Sequence, residues 1–220
     1  MTDGPDDLDP SLELDPEAHL ELARRAKDML RKRARSLRRS LSASAAAERS
    51  RKIADRLAAL PVFESARTVA LYHPIARRNE VDVLALDALV RSRGGVVAYP
   101  CTEAEAGHMT FRAPTGIDAM NDRGSGIVEP EPTAPAVADL DVVVVPALWV
   151  DLEGRRIGYG GGYYDRALAS LRPHAVAIAV VYHFQLGADL PEMPGDQRVD
   201  WVVTDEIAHE VAARGRSTGT

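Results

Sequence analysis

The amino-acid sequence predicts an α/β fold, a three-layer α/β/α sandwich with a largely parallel sheet. Three observations carry this. From residue 68 onward β-rich runs alternate with amphipathic segments, Val142 to Val145 is apolar at consecutive positions like a strand buried on both faces, and a glycine-rich stretch joins that run to a helix. A chain of 220 residues holds one sizeable core and is too short for two once its tails are subtracted. The expected organisation is an acidic, disordered tail over residues 1–16, a single domain over 17–212 and a frayed tail over 213–220.

Taken in order, the first helix starts near Pro16, a residue favoured in a first turn, and carries Leu20, Ala23, Ala26, Leu30, Ala34 and Leu37 on one face with a basic face opposite. A second helix runs from about Ala45 to Leu60 and stops before Pro61. Thr68 to Tyr72 reads as a strand, Val81 to Arg93 as an amphipathic helix closed by Gly94 and Gly95, and Val96 to Tyr99 as a strand ending at Pro100. Residues 101–138 read as an irregular insertion or a hairpin, with a weak strand candidate at His108 to Arg112. Val142 to Val145 is a buried strand, Tyr163 to Leu171 a helix, and Val176 to Tyr182 and Trp201 to Thr204 are two further strands.

Composition narrows the function classes. The net charge is −6, which argues against a general nucleic-acid binder, yet residues 24–39 hold nine Lys or Arg against one acid, while residues 1–23 hold eight carboxylates and no Lys or Arg. The acidic tail is therefore placed to screen the basic helix. A single cysteine, Cys101, excludes an intrachain disulfide, no apolar run is long enough to span a bilayer, and the N-terminus lacks a signal-peptide pattern. A cytoplasmic protein without a membrane partner is expected. The six histidines lack metal spacing, and no G-x-S-x-G elbow is present.

The stretch Gly154 to Arg166, GRRIGYGGGYYDR, is the strongest site candidate. Glycine lets successive N–H groups point one way without a Cβ clash, and the start of the next helix adds orphan donors, so this stretch can cradle a phosphate. Arg155, Arg156 and Arg166 would add charge. Neither the Walker pattern nor the dinucleotide fingerprint is met. Asp165, in the first turn after the cradle, suits a magnesium ion shared with phosphate oxygens, and equally an ordinary acid at a helix start. Asp196, in a Pro/Gly loop, is a second such acid. Lys27 and Arg31 are four residues apart and share a helix face from which both can reach a polyphosphate. Tyr163 and Tyr164 can stack on a ring or serve as packing, and Glu80 can accept from a ring N–H or act as a helix-start charge.

With these residues in hand, the chain resembles the 5-formyltetrahydrofolate cyclo-ligase (methenyltetrahydrofolate synthetase) family. The most specific match is VVVVPALWVDLEGRRIGYGGGYYDRAL. Lys27-x-x-x-Arg31, Tyr72 through Glu80-Val81-Asp82, Tyr99-Pro100, Gly126 to Pro130, and Gln185 through Leu190-Pro191 to Asp196 and Asp200 follow in order, so the likeness covers about residues 24–206. It implies closure of 5-formyltetrahydrofolate to 5,10-methenyltetrahydrofolate, with ATP as co-substrate, Mg²⁺ as cofactor, and release of ADP and phosphate. Carried over, Lys27, Arg31, Arg156, Ile157, Gly158, Tyr159, Gly160, Gly161, Gly162, Tyr163 and Tyr164 bind ATP, and Glu80, Tyr159 and Tyr163 meet the folate. Asp165 and Asp196 hold the metal, and Arg156 and Tyr163 are the catalytic pair. Some family members have Lys where this chain has Gly161, and Leu148-Trp149-Val150 replaces a stretch usually built of small residues and Phe. The alternatives are a same-fold ligase for another formamide, or a silent nucleotide- or nucleic-acid-binding module.

Overall fold

A computed structural model describes residues 15–103, 107–124, 126–171 and 173–212. Of the tails expected over 1–16 and 213–220, residues 1–14 and 213–220 lie outside the described residues. Helix α1 (Pro16–Arg39) begins where Pro16 predicts, with Pro in the first turn where its missing N–H costs nothing. Ser42 caps α2 (Ala43–Ala58), its side chain accepting the Ala45 amide at 3.2 Å. A one-turn helix, α3 (Pro61–Ser65), follows and was not expected.

Five strands form the parallel centre of the sheet. They are β1 (Thr68–Ala70), β2 (Val96–Glu103), β6 (Val142–Pro146), β9 (Val176–Val180) and β10 (Trp201–Val203). Between them lie α4 (Ala85–Ser92), β3 (His108–Arg112), the ribbon β4 (Met120–Asp122) and β5 (Val128–Pro130), the hairpin β7 (Trp149–Val150) and β8 (Arg156–Ile157), and α5 (Tyr163–Leu171). The last strand is β11 (Ala208–Glu210). The sheet order is β11-β10-β9-β6-β1-β2-β3, with the two edge strands antiparallel. β6 sits centrally, paired in parallel with β1 and β9, and its four valines are buried, which is why the run reads as continuously apolar. On one face of the sheet Ile53, Leu57, Phe63 and Leu86 pack from α2, α3 and α4, and on the other Ala167 and Leu168 pack from α5. The three-layer α/β/α expectation therefore holds.

Several boundaries differ from expectation, each for a local reason. Helix α4 starts at Ala85 rather than Val81 because Asp82 Oδ1 accepts the Leu84 amide at 2.9 Å, an Asx turn, while Val81 and Val83 are drawn into the core. Strand β2 runs through Pro100 instead of ending there. The Val96 amide donates to Arg67 and the Thr102 amide to Glu129, so even positions face away from β3, and at Pro100 β1 has already left that side. No ladder bond is lost. The insertion over 101–138 is more regular than expected, holding the β2–β3 hairpin and the β4–β5 ribbon.

Candidate active site

The carboxyl ends of β1, β2 and β6 meet α1, the glycine stretch and the 192–197 loop around a cleft of about 890 Å³, the position at which ligands enter open α/β sheets. The hairpin β7–β8 presents the glycine stretch. Its Asp151-x-x-Gly154 turn is closed by Asp151 Oδ1, which accepts the Glu153 and Arg155 amides at 3.0 and 2.9 Å. Gly154 has φ +78°, and a Cβ there would lie 2.5 Å from the Val199 carbonyl, so only glycine fits. Gly162 O accepts the Arg166 amide at 3.1 Å, which starts α5 and leaves its first amides without intrahelical partners.

At the α1 end of the cleft, four charged side chains meet in two pairs. Lys27, though buried, bonds Asp196, and Arg156 NH2 donates to Asp165 Oδ1 at 2.8 Å. Asp165 Oδ1 also takes the Gln197 amide at 3.0 Å and Asp196 Oδ2 the Met193 amide at 2.7 Å. All hydrogen bonds to each carboxylate thus fall on a single oxygen, leaving Asp165 Oδ2 and Asp196 Oδ1 without hydrogen-bond partners among the described residues. Two carboxylates lining one cleft, each with an oxygen left without a partner, can take a hard divalent cation, which uses one or two carboxylates together with phosphate and water. Arg156 Nε is likewise buried without a partner. Burial pulls the Arg156 pKa below the usual guanidinium range, against the raising effect of Asp165 and Asp196. Arg31 donates to the Gly158 carbonyl at 3.0 Å and packs under Gly160, holding the loop against α1.

At the opposite end, Glu80 is buried and accepts the Ile75 amide at 2.8 Å and the Tyr159 hydroxyl. Tyr159 OH also receives Arg38 NH1 at 3.0 Å, and the guanidiniums of Arg78 and Arg35 lie 5.0 and 5.9 Å from its ring. Burial raises the Tyr159 pKa above the usual phenol range, an effect that Arg38 opposes and Glu80 reinforces, and burial with Glu80 does the same for Tyr164.

This chain matches the 5-formyltetrahydrofolate cyclo-ligase family model over residues 23–205. It belongs to that family. It is 33% identical over 150 residues to the 5-formyltetrahydrofolate cyclo-ligase of Mycolicibacterium smegmatis, covering 64% of this chain and 74% of that protein. The identity is 29% over 182 residues to the protein of the same name from Mycoplasma pneumoniae, covering 82% and 99%. Among solved structures, the 5,10-methenyltetrahydrofolate synthetase of Aquifex aeolicus superposes with a TM-score of 0.74 at 32% identity, covering 88% of this chain and 96% of that one.

In this cyclo-ligase-family fold every residue carried over as an ATP, folate or metal contact lines the same cleft, from Lys27 and Arg31 through Glu80 and the run 156–165 to Asp196, whereas Arg166 lies outside the lining and donates to Gly161 O at 3.0 Å. One flanking expectation is corrected. Arg155 does not serve the cradle, because it is held by Asp151 at 2.7 Å and Asp189 at 2.8 Å. Trp149 lies outside the cleft lining, its indole packing with Ala34 and Leu190 and donating to Leu30 O at 2.7 Å. Cys101 is buried, with its thiol pKa raised chiefly by that burial, and so is held protonated.

Two supporting residues, Arg38 and Asn79, escaped the sequence reading, and Gln185 entered it only as part of the family likeness. Arg38 is buried and bonds Gln185 Oε1, Tyr159 OH and the Ala147 carbonyl. Its spacing of seven from Arg31 and eleven from Lys27 puts all three on one helix face, the signal that could have found it. Gln185 completes the network by donating to Leu148 O at 2.6 Å. Asn79, at φ +45°, donates to the Arg38 and Leu41 carbonyls at the end of α1 and so fixes the residue before Glu80.

Proposed function

We propose that this chain closes 5-formyltetrahydrofolate to 5,10-methenyltetrahydrofolate at the expense of ATP, releasing ADP and phosphate. The observation that carries the reading is the α1 end of the cleft. An orphaned Arg156 donor, two carboxylate oxygens without partners, Lys27, Arg31 and the open amides of α5 converge there, a donor and acceptor set suited to a polyphosphate with its cation.

In this reading Lys27, Arg31 and Arg156 hold the phosphates, with residues 157–164 shaping the cradle. Asp165 and Asp196 would hold Mg²⁺ by their partnerless oxygens, where the ion would neutralise phosphate charge. Glu80 keeps acceptor capacity beyond its two present bonds and receives N–H groups of the pterin. Tyr159, fixed by Glu80 and Arg38, and Tyr163, against Gly161, wall the folate. A formamide oxygen is a poor leaving group, and phosphorylating it lets N10 attack the formyl carbon. The chain contributes mainly alignment of the two substrates and stabilisation of developing phosphate charge, with Arg156 and Tyr163 nearest the transfer. Cys101, single, free and buried, supports the cytoplasmic placement.

The test is direct. Protein mixed with ATP, Mg²⁺ and 5-formyltetrahydrofolate generates the absorbance of the conjugated methenyl product, and omission of Mg²⁺ suppresses it. Folded protein giving no product with authentic substrates would overturn the reading.

A further inference from the structure

Ring closure demands a proton acceptor. As N10 bonds to the phosphorylated formyl carbon it becomes positively charged, and it must lose its proton before the carbon–oxygen bond can break. Each acidic group lining the cleft already has a protein partner or a place at the phosphate end. Glu80 accepts Tyr159 and the Ile75 amide, and Glu129 accepts the Thr102 amide at 3.0 Å and hydroxyl at 2.6 Å. Asp28 pairs with Arg31 at 2.6 Å, and Asp165 and Asp196 stand at the phosphate end. Tyr72, Tyr159 and Tyr164 are held protonated by burial.

His73 differs from all of them. It follows Tyr72 just beyond the carboxyl end of β1, lines the cleft, and keeps a buried Nδ1 with no hydrogen-bond partner. A buried imidazole nitrogen left alone is costly and calls for a ligand N–H. Imidazole is also the side chain that ordinarily exchanges a proton between pH 5 and 8. The charged and titratable groups that share the cleft lining with it include Arg78 and Glu80 of its own loop, Arg123 and Glu129 of the ribbon, Arg156, Tyr159 and Tyr163 of the glycine stretch, Tyr164 and Asp165 of α5, Lys27 and Arg31 of α1, and Asp196.

We infer that His73 accepts the N10 proton during ring closure. The inference rests on the cyclo-ligase reading. The N10 lone pair forms the new bond to carbon while the C=N5 pair moves to N5. The imidazole removes the N10 proton. The N5 pair then re-forms the double bond as phosphate departs with the former formyl oxygen, leaving the methenyl cation, and the imidazolium returns its proton to solvent.

The experiment follows ADP and the methenyl chromophore separately in the first turnover of wild type, His73→Gln and His73→Asn with ATP, Mg²⁺ and 5-formyltetrahydrofolate. ADP formation stays within about threefold of wild type while methenyl formation slows roughly 10²-fold, and the acid limb of its pH profile flattens. His73→Ala recovers ring closure when imidazole is added, which also guards against a misfolded variant. Methenyl formation within about threefold of wild type in the folded variants overturns the role. Equal slowing of ADP and methenyl, or a raised KM with unchanged kcat, also overturns it, since either describes a mere binding contact. Absence of product from wild type overturns the cyclo-ligase reading itself, an outcome distinct from all of these.

Discussion

At the α1 end of the cleft opposite charges neutralise one another in pairs, Lys27 on Asp196 and Arg156 on Asp165, and each carboxylate keeps an oxygen in reserve. At the Glu80 end the arrangement is closed, for Tyr159, Glu80, Arg38 and Gln185 form one buried network in which Arg38 makes three bonds to protein. The first arrangement can re-partner, because a polyphosphate with its cation supplies both signs and can take over both halves of each pair. The second is preorganised by hydrogen bonds made within the protein. A site of this kind adapts where the ligand is charged and stays rigid where shape is read.

That contrast can be broken by experiment, and the largest effect is expected at the rigid end. Arg38→Ala leaves Gln185 Oε1 and the Ala147 carbonyl buried and short of a donor, and should cost about 3–5 kcal/mol in urea unfolding. Arg31→Ala, at the adaptable end, should cost well under about 1 kcal/mol while weakening ATP binding. Equal destabilisation by the two would erase the distinction. Next, Asp165→Asn should lower kcat roughly 10²- to 10³-fold with stability little changed, checked by steady-state assay across Mg²⁺ concentrations. Undiminished turnover would remove this carboxylate from the metal site.

A third effect appears in alkali. The folded Tyr159 keeps its proton above the ordinary value of 10.0, whereas the unfolded chain loses it, so the unfolded state binds fewer protons there. The stabilising contribution is complete below pH 10 and is lost as pH rises beyond it. Tyr159→Phe should therefore show a shallower alkaline loss of stability, by up to about 1.4 kcal/mol per pH unit in chemical denaturation. An identical slope would mean the hydroxyl is not desolvated as described. The smallest effect is expected at Gly161, where a Cβ would approach the Tyr163 ring to 2.8 Å. Gly161→Ala should displace that ring and reduce kcat/KM about threefold to tenfold. No change would show that the ring position at this edge is not used.

The glycine stretch was legible because its chemistry is local. Backbone amides, a following helix start and small residues at fixed spacing describe a cradle without knowledge of neighbours, and Lys27 with Arg31 reads as a helix-face pair for the same reason. Arg155 shows where local reasoning stops. In sequence it is as near the cradle as Arg156, but the Asp151 turn points one guanidinium away and the other into the cleft. The network of Arg38, Gln185 and Asn79 could not be read, because Arg38 meets Gln185 across 147 residues and no spacing rule relates them.

What the sequence determined by itself is the class of fold and the glycine-rich stretch that lines the cleft, both set by periodicity and by the conformational freedom of a few glycines. Only the tertiary structure decided which carboxylate oxygens are left without partners, that Lys27 and Arg38 turn inward from a helix whose other charges, Arg31 apart, face solvent, and that His73 has a lone nitrogen in the cleft. The physical reason is that hydrogen-bond satisfaction and desolvation depend on groups brought together by packing, which the order of residues along one element does not encode.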